Sequence, residues 1–132
     1  MKNIKEPSRI LIVDDNHQIV VVVSLMLETL GYQADSANCG TAALGCLDKY
    51  DYDLVLTDFD MPDMKGDALA FKIRERWPCT GVVIMTGGNN EEIETSIENG
   101  LAEHLILKPF SKRDLETAMS KAFRPDFNRV AC

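Results

Sequence analysis

The chain has 132 residues, 45% of them apolar and 27% charged, the proportions of an ordinary globular domain with its own hydrophobic core. Fourteen basic residues against 21 acidic ones leave a formal charge of −7, a sign that opposes contact with phosphate backbones, so direct nucleic-acid binding is not expected. No apolar run is long enough to span a bilayer, and MKNIKEPSR lacks the apolar core of a signal peptide, so no membrane contact is expected and the cytoplasm is the default location.

In chain order, Arg9–Asp14 (RILIVD) reads as the first strand. Ile19, Val22, Val23, Met26, Leu27 and Leu30 then follow the i, i+3, i+4 stripe of an amphipathic helix. The run Ile19–Val23 is β-branched and by propensity alone would be a strand. The stripe continues for three turns, however, and Gly31 supplies a C-terminal stop, so a helix is expected. Gln33–Ala37 and Asp53–Thr57 read as the next strands, with a second helix between them over residues 41–50. Leu69, Ala70, Ile73 and Trp77 mark a third helix, and Val82–Thr86 a fourth strand. The acids Glu91, Glu92, Glu94 and Glu98 read as the solvated face of a fourth helix, before a last strand at His104–Leu107. Leu115, Ala118, Met119 and Ala122 stripe the final helix, behind Ser111 as N-cap and Asp114 in the first turn.

Five βα units in sequence predict an α/β fold with a parallel sheet covered on both faces, which explains why ILIV, LVL and VVIM are apolar throughout. The four cysteines, Cys39, Cys46, Cys79 and Cys132, form no C-x-x-C pair and no zinc spacing, and are expected to be reduced structural thiols.

The polar residues become informative when sorted by strand end. The first strand delivers Asp14 and Asp15, the third Asp58 and Asp60, the fourth Thr86 and the fifth Lys108. In open α/β sheets ligands bind beyond the carboxyl ends of the strands. Acids, a hydroxyl and a lysine are thus expected along one edge. The stretch LVLTDFDMPDMKG is the densest part, with Asp58, Asp60 and Asp63 within six positions, and like charges held close resist ionising unless something neutralises them.

The series IVDD, LTDFDMPDMKG, IMTGG and LKPF, at these separations, resembles the receiver domain of bacterial two-component response regulators. The resemblance covers about residues 9–123, so a single domain with a short tail, 124–132, is expected. It implies a (βα)5 doubly wound fold with the flavodoxin-like strand order 2-1-3-4-5. It also implies that Asp58 is the phosphoacceptor, forming an aspartyl phosphate with a phosphoryl group from a sensor histidine kinase or a phosphotransfer protein. Mg²⁺, a hard cation suited to oxygen ligands, would be held by Asp15 and Asp58 through their side chains, by Asp60 through its carbonyl and by Asp14 through water. Lys108 would pair with the phosphoryl oxygens, and Thr86 would bond one of them after transfer. Gly87 and Gly88 would leave room for the phosphoryl group, and Lys108–Pro109 would be a cis-proline turn. The implied function is a phosphorelay switch rather than a turnover enzyme, acting on a downstream output protein or domain, and phosphorylation-dependent dimerisation is compatible with it.

Two features depart from the receiver pattern. Leu105 stands three positions before the lysine, where receivers carry a switching Tyr or Phe, and Gly100 lies eight before it, one more than usual. Asp60 and Gly88 occupy the positions that in receivers tune hydrolysis of the acyl phosphate. His17 and His104 carry no partner pattern. Asp58-Phe59-Asp60 also spells the D-x-D of haloacid-dehalogenase-like phosphohydrolases, the alternative reading. Those enzymes place their second acidic pair after the lysine, whereas Asp14 and Asp15 precede everything, and no cap domain fits here. The tail RPDFNRVAC fits either a natural end or the start of a linker.

Overall fold

The computed structural model describes residues 8–88 and 91–122, apart from the side chains of 92, 93 and 96. Strands β1 (Arg9–Val13), β2 (Gln33–Ala37), β3 (Leu54–Asp58), β4 (Gly81–Thr86) and β5 (His104–Leu107) alternate with helices α1 (His17–Thr29), α2 (Gly40–Lys49), α3 (Gly66–Arg76), α4 (Glu91–Glu98) and α5 (Lys112–Ala122). The strands form one sheet in the order β2-β1-β3-β4-β5, and every neighbouring pair is parallel. The tail 124–132 and Asn89–Asn90 lie outside the described residues. Among the described residues no helix is long and apolar enough to cross a membrane.

Alternation along the central strands divides the core in two. Ile10, Ile12, Leu54, Leu56, Val83 and Met85 face α1 and α5, where Val23, Leu27, Leu115, Ala118 and Met119 cover them. Leu11, Val13, Val55, Val82 and Ile84 face the other way, beneath Ala43 and Leu47 of α2 and Leu69, Ala70 and Ile73 of α3. All of these strand residues are fully buried, which is why the central strands show no polar alternation.

The β-branched run in α1 is helical, as its stripe predicts. Asn16 starts the helix by accepting from the Gln18 and Ile19 amides at 3.0 and 3.3 Å. Gly31 ends it at φ +93°, a conformation other residues adopt only under strain. The stripe itself is broader than the buried face. Val23 and Leu27 are buried, but Val22 is half exposed. The capping of α5 is reciprocal: the Asp114 amide donates to Ser111 Oγ at 3.1 Å, and the Ser111 amide donates to the Asp114 carboxylate at 3.0 Å.

Cys39 and Cys46 are free thiols, with Cys39 Sγ accepting from the Ala42 amide at the start of α2. Cys132 lies outside the described residues.

Candidate functional site

The pairing register brings the strand ends level. Val13 lies opposite Thr57, Asp58 opposite Met85, and Thr86 opposite Leu107. The residues that follow these ends therefore meet at one edge. Asp14 is buried there, its Oδ1 accepting from the Asn16 amide at 2.9 Å. Asp58 is 9% exposed and Asp15 faces solvent. Carboxylate oxygens of Asp14, Asp15 and Asp58 lie within 4.8 Å of one another.

Lys108 crosses the end of β4 to reach this group. Its amide donates to the Thr86 carbonyl at 2.7 Å, its bond to Pro109 is cis, and its Nζ donates to Asp14 Oδ2 at 2.9 Å and to Asp58 Oδ1 at 3.0 Å. Burial raises the Asp58 carboxyl above its ordinary value, with Asp14 and Asp60 adding to the rise and Lys108 opposing it. Burial pulls the Lys108 ammonium down, but its bonds and charge contacts with Asp14 and Asp58 outweigh this and leave it raised. Three carboxylates thus face one ammonium. The remaining negative charge is all on hard oxygen donors, the set that suits a small divalent cation. An open cleft of about 460 Å³, lined in part by Asp14, Asp15 and His17, leads to the acids.

The other predicted residues are placed differently. The Asp60 side chain is 79% exposed and stands 4.0 Å from Lys65 Nζ, outside the acidic trio. Thr86 is buried, and its hydroxyl donates to the Gly88 carbonyl at 3.0 Å and accepts from the Gly88 amide at 3.3 Å. Bonding a newly arrived oxygen would mean exchanging that turn. Leu105 is half-buried against the core on the α3 side, in the same cluster as Ile97 and Leu101, and is not among the residues that meet at the sheet edge. A Cβ at Gly87 or Gly88 would meet nothing within 4 Å, so neither glycine is required by crowding in this state.

Two residues matter more here than their sequence context suggests. Gly66 passes so close to the acceptor strand that a Cβ would fall 2.7 Å from the Asp58 carbonyl oxygen and 2.9 Å from Phe59 Cα. Its amide donates to the Phe59 carbonyl at 2.7 Å, closing the loop that follows β3. Asp63 does not join the acidic trio. Its Oδ1 accepts from the Gly40 amide at 2.9 Å, and its Oδ2 from the Thr41 amide and hydroxyl at 2.8 and 2.7 Å. The Thr41 hydroxyl bond, followed by the two amide bonds, holds this carboxyl well below the usual range.

A family model described as the response regulator receiver domain matches residues 10–120. The chain belongs to that family. Among curated proteins, this receiver is 35% identical over 109 residues to the regulatory protein VanR of Enterococcus faecium, covering 81% of this chain and 46% of VanR. It spans less than half the length of the curated relatives it matches. Among solved structures, the receiver domain protein (CheY-like) of Methanospirillum hungatei superposes with a TM-score of 0.85 at 28% identity, over 96% of this chain and 99% of that one. The response regulator TrrA of Thermotoga maritima, solved in complex with Mg²⁺–BeF, superposes at 0.80 with 28% identity, over 88% of this chain and 99% of that one. The match places the chain among receivers and not among haloacid-dehalogenase-like phosphohydrolases.

Proposed function

We propose that this receiver takes a phosphoryl group onto Asp58 in a Mg²⁺-dependent step and passes the change to a protein-interaction surface. One observation carries the reading: Lys108 Nζ bridges Asp14 and Asp58 at 2.9 and 3.0 Å, while Asp15 completes an all-oxygen trio. Asp58 supplies the nucleophilic oxygen. That oxygen bonds phosphorus as the P–N bond of a donor phosphohistidine breaks, and the imidazole nitrogen leaves with the bonding electron pair. Lys108 is already aimed at the acceptor and can pair with the phosphoryl oxygens as charge builds on them. Asp15 and Asp58 would hold Mg²⁺ through their side chains, Asp60 through its carbonyl and Asp14 through water. Bound there, the ion offsets the negative charge of acids and phosphoryl group together.

The donor is a sensor histidine kinase or phosphotransfer protein. A groove of about 450 Å³, lined by Lys108 together with Ile19, Val22, Met26, Pro109 and Phe110, gives it largely apolar ground beside the acceptor. On the output side, Thr86 would exchange its bond to Gly88 for one to a phosphoryl oxygen, drawing its loop inward and shifting α4 and β5. With Leu105 in place of a ring, the change travels through the backbone of that loop rather than through an aromatic rotamer. The downstream protein or domain, or a second copy of the receiver, then reads α4 and β5. The protein acts in the cytoplasm as a switch and not as a turnover enzyme.

Incubation with acetyl phosphate and Mg²⁺ should raise the intact mass by one phosphoryl group, and chelation of the cation should prevent it. Uptake that persists without a divalent cation would overturn the metal assignment. Sustained Asp58-dependent turnover of p-nitrophenyl phosphate would replace the switch with a phosphohydrolase.

A further inference from the structure

The loop between β3 and α3 is fixed at both ends. The Phe59 amide donates to the Met85 carbonyl at 2.9 Å, its ring is buried, and its carbonyl accepts from Gly66. Between these points Asp60, Pro62, Asp63 and Lys65 are exposed, and the Asp60 side chain stands in solvent 4.0 Å from Lys65 Nζ. The crest of the loop is held by Asp63, through three hydrogen bonds to the first residues of α2. Met64 adds a second attachment. Its side chain occupies the space where a Cβ on Gly40 would stand, 2.4 Å from Met64 Cγ.

Helix α2 has a matching need. It carries no acid in its own first turn, and its N-cap offers only the Cys39 sulfur to the Ala42 amide at 3.4 Å. Asp63 therefore caps α2 from 23 residues further along the chain. A carboxylate against free helix amides makes a charge-assisted and directional contact.

We propose that Asp63 is a positioning residue for Mg²⁺: by clasping the loop crest to the start of α2, it fixes the peptide of Asp60 for metal binding. This rests on the reading of the acidic trio as a Mg²⁺ site. The clasp and the metal are then linked reciprocally. If the clasp favours the metal, the metal must favour the clasp by the same free energy. Binding of Mg²⁺ should slow hydrogen exchange at the Gly40 and Thr41 amides, although both belong to α2.

Calorimetric titration with Mg²⁺ tests the link. Partners that orient metal ligands are commonly worth 10–100-fold in affinity. Asp63→Ala should weaken Mg²⁺ binding about tenfold. Asp63→Asn, which keeps one acceptor oxygen, and Thr41→Val, which removes only the hydroxyl bond, should weaken it less and in the same direction. These two variants carry the test if Asp63→Ala does not fold. Wild-type affinity in folded Asp63 and Thr41 variants, with Asp15→Asn still impaired, would make Asp63 a mere helix cap and overturn the clasp alone. Unchanged exchange at Gly40 and Thr41 on Mg²⁺ binding would do the same. Failure of the wild-type protein to bind Mg²⁺, or full affinity in Asp15→Asn, would instead overturn the site.

Discussion

Asp58→Asn should stabilise the protein in the absence of metal by about 1 kcal/mol at pH 7, about 4 °C in melting temperature, while abolishing phosphoryl uptake. The folded-state carboxyl of Asp58 is raised above its ordinary 3.8, chiefly by burial. A raised carboxyl contributes stability below its unfolded value and loses it as pH climbs through the folded value. At neutral pH the ionised Asp58 therefore works against folding. Asparagine keeps an acceptor for Lys108 without the charge. The advantage should fade as pH falls through the raised folded value and be gone below 3.8, where aspartate is protonated in both states. Mg²⁺ should narrow the gap by raising wild-type stability and not that of the variant. Urea unfolding across pH measures all three effects. A variant less stable than wild type at pH 7 would mean that the Lys108 ion pair outweighs the burial of the charge.

Gly66→Ala should have the largest effect on folding, a loss of about 3 kcal/mol. The contacts in the way, the Asp58 carbonyl oxygen at 2.7 Å and Phe59 Cα at 2.9 Å, are backbone atoms at the buried end of β3 and cannot swing aside. Gly87→Ala is the control. Its Cβ meets nothing, so the urea midpoint should stay within about 0.5 kcal/mol of wild type. A wild-type midpoint for Gly66→Ala would show that the loop after β3 can shift, and with it the acceptor.

What the sequence revealed of this protein depended on how local each signal was. The order of elements was legible because continuous apolar strands alternate with helical stripes, and Gly31, Ser111 and Asp114 mark helix ends through contacts within a few residues. The convergence of Asp14, Asp15, Asp58 and Lys108 was legible because each lies at or just past the end of its strand, so a parallel sheet brings them to one edge. Which stripe residues are buried was less legible: Val22 lies on the stripe yet is half exposed, because α1 is pressed on the sheet along an arc narrower than the full stripe. The role of Asp63 was hidden, since its partners lie 22 and 23 residues earlier and meet it only after β2, β1 and β3 align. The pull of nearby acids in DFDMPD suggested a single cluster, yet the loop sends Asp60 to solvent and Asp63 to α2. The confinement of Gly66 was likewise hidden. Gly87 and Gly88 are unhindered, while Gly66 is confined by backbone that no local pattern reveals. Glu103 and Arg74 likewise pair across 29 residues, with Arg74 also donating to the Gly100 carbonyl at 3.1 Å, tying the turn before β5 to α3.

Chemical trapping of the phosphorylated residue tests the central claim most directly. An aspartyl phosphate is a mixed anhydride, and borohydride reduces its carbonyl to an alcohol, converting the acceptor aspartate to homoserine. Protein treated with acetyl phosphate and Mg²⁺, then reduced and digested, should carry homoserine at position 58 and at no other aspartate. Homoserine at Asp14, Asp15, Asp60 or Asp63 instead, or a phosphoryl group that survives base and leaves Asp58 unreduced, would contradict the account.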